Sequence, residues 1–175
     1  MCVISLVGLP GSGKSTVGRQ LARRLRLSFF DSDHEIEQQL GCSIREYFER
    51  EGEDRFRDVE QSVLDQLSCS PGGILSTGGG AVLRPENRKN LRERTHVVYL
   101  SSSPDELFRR LRHDVNRPLL QVADPLSRLR DLHTLRDPLY RETAHFIIET
   151  GRPSVSALVN TIAMQLELAG VVSSQ

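Results

Sequence analysis

The residues from Gly8 to Ser15 constrain this chain more than any other segment, because they read G-L-P-G-S-G-K-S and match the pattern G-x-x-x-x-G-K-[ST]. The apolar run Cys2–Val7 before them predicts a β-strand, and the residues after them have helical spacing of apolar side chains. Glycines allow successive N–H groups to point at one place, and a helix N-terminus adds partial positive charge there. The segment therefore predicts a loop that binds the phosphates of a nucleoside triphosphate.

The motif also predicts what individual residues of this loop do. Lys14, one of only two lysines in the chain, is expected to reach the β- and γ-phosphates, and the Ser15 hydroxyl is expected to ligate Mg²⁺. The predicted nucleotide contacts are Gly11, Ser12, Gly13, Lys14, Ser15 and Thr16.

The rest of the chain repeats a short β-branched run followed by a helical pattern. Further strands are predicted at Leu27–Phe30, Gly73–Ser76, Thr95–Leu100 and His145–Glu149. Strands that alternate with helices pair in parallel through right-handed crossovers. The sequence thus predicts an α/β fold, with a five-stranded parallel sheet and helices on both faces, as a single domain over residues 1–175.

Charge and cysteine content exclude several classes of function. Because 23 basic residues offset 23 acidic ones, the chain lacks the positive field of a nucleic-acid binder. Residues 31–65 carry a net charge of −8 and residues 107–141 a net charge of +4, so anionic ligands are expected at the second segment. Three widely spaced cysteines predict neither disulfides nor a zinc knuckle. The first apolar run is too short for a signal peptide or a membrane span, so we expect a cytoplasmic protein without a membrane partner. We also expect a monomer.

Two polar segments follow predicted strands. Asp31 and Asp33 lie at the sheet edge where α/β proteins bind ligands, and alternation in an extended segment would point both carboxylates the same way. One would serve Mg²⁺ and the other an acceptor hydroxyl; alternatively, both simply begin a helix. The glycines Gly78, Gly79 and Gly80 indicate close approach of some other group to the backbone or, alternatively, a loose turn.

Taken together, these segments resemble the shikimate kinase family. The blocks that carry the resemblance are the phosphate loop, Asp31-x-Asp33, Phe56-Arg57, Gly78–Gly80, Arg117-Pro118-Leu119-Leu120, and Arg136 ahead of Pro138-Leu139-Tyr140. They occur in the family's order and cover nearly the whole chain. The resemblance implies a P-loop NTPase fold like that of nucleoside monophosphate kinases. It also implies a substrate-binding region at about 31–65 and a mobile lid at about 112–124. The lid lies in a stretch whose apolar residues fit neither helical nor strand spacing.

The implied reaction is transfer of the ATP γ-phosphoryl group to the 3-hydroxyl of shikimate, giving shikimate 3-phosphate and ADP in aromatic amino-acid biosynthesis. By matching position, shikimate would be bound by Asp33, Arg57, Gly78, Gly79, Gly80 and Arg136. The catalytic residues would be Lys14, Asp33 and the lid residue Arg117, which would also contact the nucleotide. The adenine would be flanked by Arg110 and the pair Arg152-Pro153.

Elementary chemistry agrees with part of this assignment. A carboxylate substrate needs permanently charged planar donors, which Arg57 and Arg136 offer. Asp33, with an ordinary carboxyl pKa of about 4, would orient the hydroxyl first and accept its proton late. No strand ends in the hydrophobic-hydrophobic-Asp-Glu pattern, so Mg²⁺ is expected at Ser15, the phosphates and water, with Asp31 as the nearest carboxylate.

Two other functions remain open at this point. One is another P-loop metabolite kinase, acting on gluconate or a nucleoside monophosphate; the other is a nucleotide-dependent switch without a small acceptor. The combination of Asp-x-Asp, three glycines and Arg136 favours shikimate, because those alternatives would not require all of it.

Overall fold

The structure is a computed structural model that describes residues 2–112, 123–151 and 154–173. Its strands are β1 (Val3–Val7), β2 (Phe29–Asp31), β3 (Ile74–Ser76), β4 (Thr95–Ser101) and β5 (Phe146–Glu149). Its helices are α1 (Lys14–Leu25), α2 (Ser32–Leu40), α3 (Ile44–Glu51), α4 (Glu53–Ser68), α5 (Pro85–Arg94), α6 (Pro104–Leu111), α7 (Pro125–Thr143) and α8 (Val155–Leu168). The predicted substrate-binding region corresponds to α2, α3 and most of α4.

The five strands form one parallel sheet in the order β2-β3-β1-β4-β5. The central strand β1 pairs with β3 on one side and β4 on the other, so the chain winds away from it in both directions. Where the strand order reverses, the loops at the carboxyl ends diverge and leave a crevice. The loop that follows β1 lies at this crevice, and the predicted parallel sheet is confirmed.

The core lies on both faces of the sheet because side chains alternate along each strand. Val3 and Val7 pack into a cluster with residues of α5, α6 and α7 on one face. Ile4 and Leu6 pack with α1 and α8 on the other face. A smaller cluster around Phe56 joins α2, α3 and α4 beside the sheet. Helices therefore cover both faces, as predicted.

The second strand begins at Phe29, two residues later than the predicted Leu27. The Leu27 N–H donates instead to the Ala22 carbonyl at 2.9 Å and closes the end of α1, where Arg26 has a φ of 55°. This bond from beyond the helix end is typical of a helix stop with a left-handed residue. The other predicted strands differ by a single residue at one end, which is the usual uncertainty of strand limits.

Several predicted functional residues lie outside the described ranges. They are Arg117, within residues 113–122, and the pair Arg152-Pro153. The predicted lid is thus described only at its two ends, Arg112 and residues 123–124. No helix in the described ranges is long and apolar enough to cross a bilayer.

Candidate active site

The loop after β1 has the backbone conformation that a phosphate cradle needs. Gly11 and Gly13 have φ values of 83° and 93°, in the left-handed region that glycine adopts at no steric cost. Helix α1 begins directly after Gly13, so its first N–H groups and the positive end of its dipole face the crevice. The sequence prediction for this loop agrees with its geometry.

Lys14 is buried, and its ammonium group is held against the loop. Its Nζ donates to the carbonyl oxygens of Gly8 at 2.7 Å and Leu9 at 3.0 Å. Lys14 also lines a cleft of about 270 Å³ at the carboxyl edge of the sheet. The lining residues of this cleft are Pro10, Gly11, Gly13, Lys14, Ser15, Thr16, Asp31, Asp33, Thr77, Gly78 and Gly79.

Ser15 and Asp31 are joined across this cleft. The Ser15 hydroxyl donates to Oδ2 of Asp31 at 2.8 Å and lies 3.4 Å from the Ser76 hydroxyl. In the described part of the chain, no three His, Cys or acidic side chains gather into a metal site. A hydroxyl and a carboxylate beside a phosphate loop are nevertheless the oxygen ligands that Mg²⁺ prefers, with phosphates and water completing its shell. The residues present therefore fit a nucleotide-bound Mg²⁺.

The extended alternation predicted for Asp31 and Asp33 is wrong. Helix α2 begins at Ser32, because Oδ1 of Asp31 accepts the N–H groups of Asp33 at 3.0 Å and His34 at 3.3 Å and so caps the helix. Asp33 lies in the first helical turn, so the alternative that both acids begin a helix describes the backbone. Both carboxylates still line the cleft.

The pKa of the Asp33 carboxyl group differs from that of an ordinary aspartate. Burial raises its pKa to about 6, and the nearby Asp31 and Glu60 carboxylates contribute in the same direction, while the Lys14 ammonium opposes them. The ordinary pKa of about 4 expected from the sequence is therefore wrong. At this higher pKa, the carboxylate is a better proton acceptor and is still mostly ionised at neutral pH.

The Gly78–Gly80 run packs against three charged side chains. A Cβ on its first glycine would lie 2.7 Å from Oδ1 of Asp33, and one on its second would lie 3.3 Å from Nη1 of Arg136. A Cβ on its third glycine would lie 2.6 Å from Cζ of Arg57. A side chain at Gly78 or Gly80 would displace Asp33 or Arg57, and one at Gly79 would also meet Pro10 of the phosphate loop at 2.7 Å. Close approach of other groups to the backbone is therefore favoured over a loose turn.

Glu60 is a site residue that the sequence analysis missed. Its carboxylate, 1% exposed, accepts a hydrogen bond of 2.8 Å from Nη1 of Arg57, whose side chain is 12% exposed. Burial raises the pKa of Glu60, and the Arg57 guanidinium opposes this shift. The sequence did contain a signal for this pair, because residues three apart on a helix, such as Arg57 and Glu60, are neighbours.

Tyr140 is a second residue that was missed, although it belongs to one of the blocks that carry the resemblance. Its hydroxyl donates to the Gly79 carbonyl oxygen at 2.6 Å. Nothing in the local sequence indicates this contact, because 61 residues separate the two positions.

Arg110 lies near the phosphate loop, and its predicted place beside the adenine stays a prediction. Its Nη1 donates to the Ser12 carbonyl at 3.4 Å, and its Nη2 is 3.7 Å from the carboxylate of Glu106. The Ser12 residue itself is buried, whereas Thr16 is exposed at the edge of the cleft. The arginine is therefore placed beside the loop by its own helix, α6.

The charged groups of the site are arranged in an order that suits one kind of reaction. Lys14 and the start of α1 lie at one end, where they can bind phosphate, and the Asp33 carboxylate, with its raised pKa, lines the same cleft. Two guanidinium groups, Arg57 and Arg136, lie against the Gly78–Gly80 run on the other side. Such a site suits transfer of a phosphoryl group from a nucleotide to a hydroxyl of a small carboxylate.

Comparison with known proteins agrees with this chemistry. A sequence profile of the shikimate kinase family matches residues 10–167. The shikimate kinase of Paracidovorax citrulli is 63% identical over 171 residues, covering 96% of this chain and 93% of that protein. The shikimate kinase of Ralstonia nicotianae is 59% identical over 169 residues, covering 97% and 89%. The structure of shikimate kinase from Acinetobacter baumannii in complex with shikimate has a TM-score of 0.90 and 47% identity, and the match covers 97% of this chain and 94% of that one.

Proposed function

The chain belongs to the shikimate kinase family, and we propose that its cleft transfers the γ-phosphoryl group of ATP to the 3-hydroxyl of shikimate, giving shikimate 3-phosphate and ADP. This reaction is a step in the biosynthesis of aromatic amino acids. The observation that carries the proposal is that Asp33 lines one cleft with the phosphate loop, while Asp33, Arg136 and Arg57 approach successive glycines of the Gly78–Gly80 run. An acceptor with a carboxylate at one end and a hydroxyl at the other matches that order of groups.

On the nucleotide side, the loop N–H groups and Lys14 would neutralise charge on the β- and γ-phosphates. The Lys14 ammonium already lies at the loop, where it donates to carbonyl oxygens that phosphate oxygens would replace in part. The Ser15 hydroxyl and the Asp31 carboxylate would hold Mg²⁺, which supplies further charge neutralisation of the phosphates when bound. Arg110 and the pair Arg152-Pro153 are proposed to flank the adenine.

On the acceptor side, Arg57 and Arg136 would bind the shikimate carboxylate through charge-assisted hydrogen bonds. Asp33 would accept a hydrogen bond from the 3-hydroxyl of shikimate and so point the hydroxyl oxygen at the γ-phosphorus. It would take the hydroxyl proton as the bond between that oxygen and phosphorus forms and the bond to ADP breaks. Its raised pKa supports the second role, because a carboxyl near 6 holds a proton more readily than one near 4. Arg117 is proposed as the lid arginine that excludes water during transfer.

The experiment that tests this function measures ADP release from ATP and Mg²⁺ in parallel with shikimate, quinate, gluconate, AMP and no acceptor. We expect fast release with shikimate only, and no release when Mg²⁺ is removed with EDTA. Equal release with gluconate or AMP would support another metabolite kinase. ADP release at the same rate with every acceptor and without one would support a nucleotide-dependent switch.

The sequence also leads us to propose a single-domain, monomeric protein of the cytoplasm. A reaction between two free metabolites needs only one copy of the cleft, and the described elements of the chain already contribute to both sides of it. Light scattering on the purified protein tests the monomer, and fractionation of the cells that produce it tests the location.

A further inference from the structure

Tyr140 ties helix α7 to the glycine run. Its hydroxyl donates a 2.6 Å hydrogen bond to the carbonyl of Gly79, and its side chain is completely buried in the cluster on that face of the sheet. Burial raises the pKa of Tyr140 to about 12, although the neighbouring Arg136 guanidinium opposes the shift. The hydroxyl therefore keeps its proton, and its ability to donate, throughout the neutral range.

The Gly78–Gly80 run has no side chains with which to hold its own conformation. Its first N–H donates to the Ser32 hydroxyl at 3.2 Å, and its first carbonyl accepts the N–H of Ala81 at 3.1 Å. At the other end, the Gly80 carbonyl accepts the Leu83 N–H at 3.1 Å. These bonds fix the two ends of the run, but glycine has more backbone freedom than any other residue. The orientation of the middle peptide therefore depends on an anchor from elsewhere, and Tyr140 supplies one.

The same helix carries a residue proposed to bind the acceptor carboxylate. Arg136 and Tyr140 are four residues apart on α7, so their side chains lie on one face. Nη1 of Arg136 is 3.3 Å from the point that a Cβ on Gly79 would occupy. The hydrogen bond from Tyr140 to Gly79 thus sets the spacing between the glycine backbone and the Arg136 guanidinium.

We propose that Tyr140 is a positioning residue of the acceptor site. By holding the Gly79 carbonyl, its hydroxyl keeps the glycine run and Arg136 at the separation that shikimate requires, without contacting ATP or the reacting oxygen. This inference rests on the proposed function, because it assumes that the acceptor occupies the space between these groups.

Tyr99 offers a matched control. Its ring lies 4.9 Å from the ring of Tyr140 and is equally buried. Its hydroxyl donates at 2.7 Å to Asp137, which accepts a further hydrogen bond from Arg141. Replacing either tyrosine by phenylalanine keeps the ring and removes one hydroxyl, but only Tyr140 contacts the glycine run.

The test is steady-state kinetics of the purified variants Tyr140→Phe and Tyr99→Phe, with melting curves for both. For Tyr140→Phe we expect the KM for shikimate to rise about tenfold, the size expected when a buried carbonyl loses its partner. Its kcat and its KM for ATP should stay within about twofold of the parental values. Tyr99→Phe should leave both KM values unchanged, even if it lowers the melting temperature as much as Tyr140→Phe does.

An unchanged KM for shikimate in Tyr140→Phe would overturn the proposal, and so would an equal rise in Tyr99→Phe. A further variant with 4-aminophenylalanine in place of Tyr140 keeps a weaker donor. Its KM for shikimate should lie above the parental value and below that of Tyr140→Phe; if Tyr140→Phe does not fold, the absence of any rise in this variant overturns the proposal. A parental protein that does not turn over shikimate would instead remove the proposed function itself.

Discussion

The hydroxyl of Ser15 donates a 2.8 Å hydrogen bond to Oδ2 of Asp31, and thereby joins the phosphate loop to the start of the acceptor side. The other oxygen of the same carboxylate accepts the N–H of Asp33 at 3.0 Å. One aspartate at the end of β2 therefore contacts both the proposed metal ligand and the residue proposed to receive the acceptor hydroxyl. The proposed metal site therefore does not depend on an acidic pair at the end of a strand.

Replacing Asp31 by asparagine keeps an oxygen that can cap α2 and removes the negative charge. We expect Asp31→Asn to need about tenfold more Mg²⁺ for half-maximal rate, a typical loss when a metal-site partner is changed. The pKa of Asp33 should also fall, because Asp31 is one of the groups that raise it. Initial rates over a range of free Mg²⁺ check the first effect, with Glu35→Gln, in the helix that Asp31 caps, as a control. An unchanged Mg²⁺ requirement would place the metal's carboxylate elsewhere.

Lys14→Ala should retain less than about a tenth of the parental turnover, because the variant cannot neutralise the β- and γ-phosphates. Its unfolding free energy should also fall by about 1–2 kcal/mol, since Nζ bonds the buried carbonyls of Gly8 and Leu9. The matched control is Lys89→Ala, which removes the other lysine from an exposed position on α5 and should keep full activity. Turnover above a tenth in a folded Lys14→Ala enzyme would contradict the phosphate role.

Asp33 should set an acid limb in the pH profile. Because burial raises its pKa to about 6 in the free enzyme, kcat/KM for shikimate should fall about tenfold per pH unit below 6. The steady-state rate between pH 5 and 8 measures this limb. A profile that stays flat down to pH 5 would exclude Asp33 as the group that must be ionised.

The same shift predicts how stability depends on pH. The folded pKa of Asp33, about 6, exceeds the ordinary aspartate pKa of 3.8, so its stabilising contribution is complete below pH 3.8 and is lost as the pH rises through 6. Asp33→Asn should therefore gain about 1–3 kcal/mol relative to the parent between pH 4 and pH 7. Urea unfolding at both pH values measures the gain, and Glu35→Gln, in the same helical turn, should show a smaller one.

The buried pair of Arg57 and Glu60 has separable structural and binding roles. Arg57→Ala leaves the Glu60 carboxylate buried without its main partner and should cost about 3–5 kcal/mol of stability. Combining Arg57→Met with Glu60→Leu removes both charges and should recover most of that loss. Shikimate binding, measured by titration calorimetry, should stay weak in both variants. Parental affinity in the stable double variant would show that Arg57 does not bind the acceptor.

Arg136→Ala should weaken shikimate binding far more than ATP binding. Among the described residues, no carboxylate forms an ion pair with Arg136; its guanidinium hydrogen-bonds the neutral Tyr140 hydroxyl and interacts electrostatically with Glu60. Its charge can therefore serve a carboxylate ligand. Losing a charge-assisted partner of this kind costs roughly 2–5 kcal/mol. Arg128→Ala, which changes an exposed arginine on the same helix, serves as the control. Calorimetry that finds the same shikimate affinity in Arg136→Ala and the parent would move the carboxylate site elsewhere.

The sequence by itself determined the phosphate loop and the parallel sheet. The functional groups of the loop belong to the consecutive residues Gly8–Ser15, so local backbone preferences and the following helix are enough to place them. The strands were predicted because apolar runs alternate with helical patterns. The start of β2 was missed because Arg26 ends α1 in a left-handed conformation that glycine or asparagine usually adopts.

Only the tertiary structure decided how the acceptor side is assembled. Which side chains face the Gly78–Gly80 run depends on the packing of α2, α4 and α7 around one sheet edge, and spacing along the chain does not report that packing. The side-chain direction of Asp33 was set by the cap that Asp31 makes on α2. Its pKa was set by burial and by charges that the fold brings from distant segments, because electrostatic interactions depend on distance in space and on the exclusion of water.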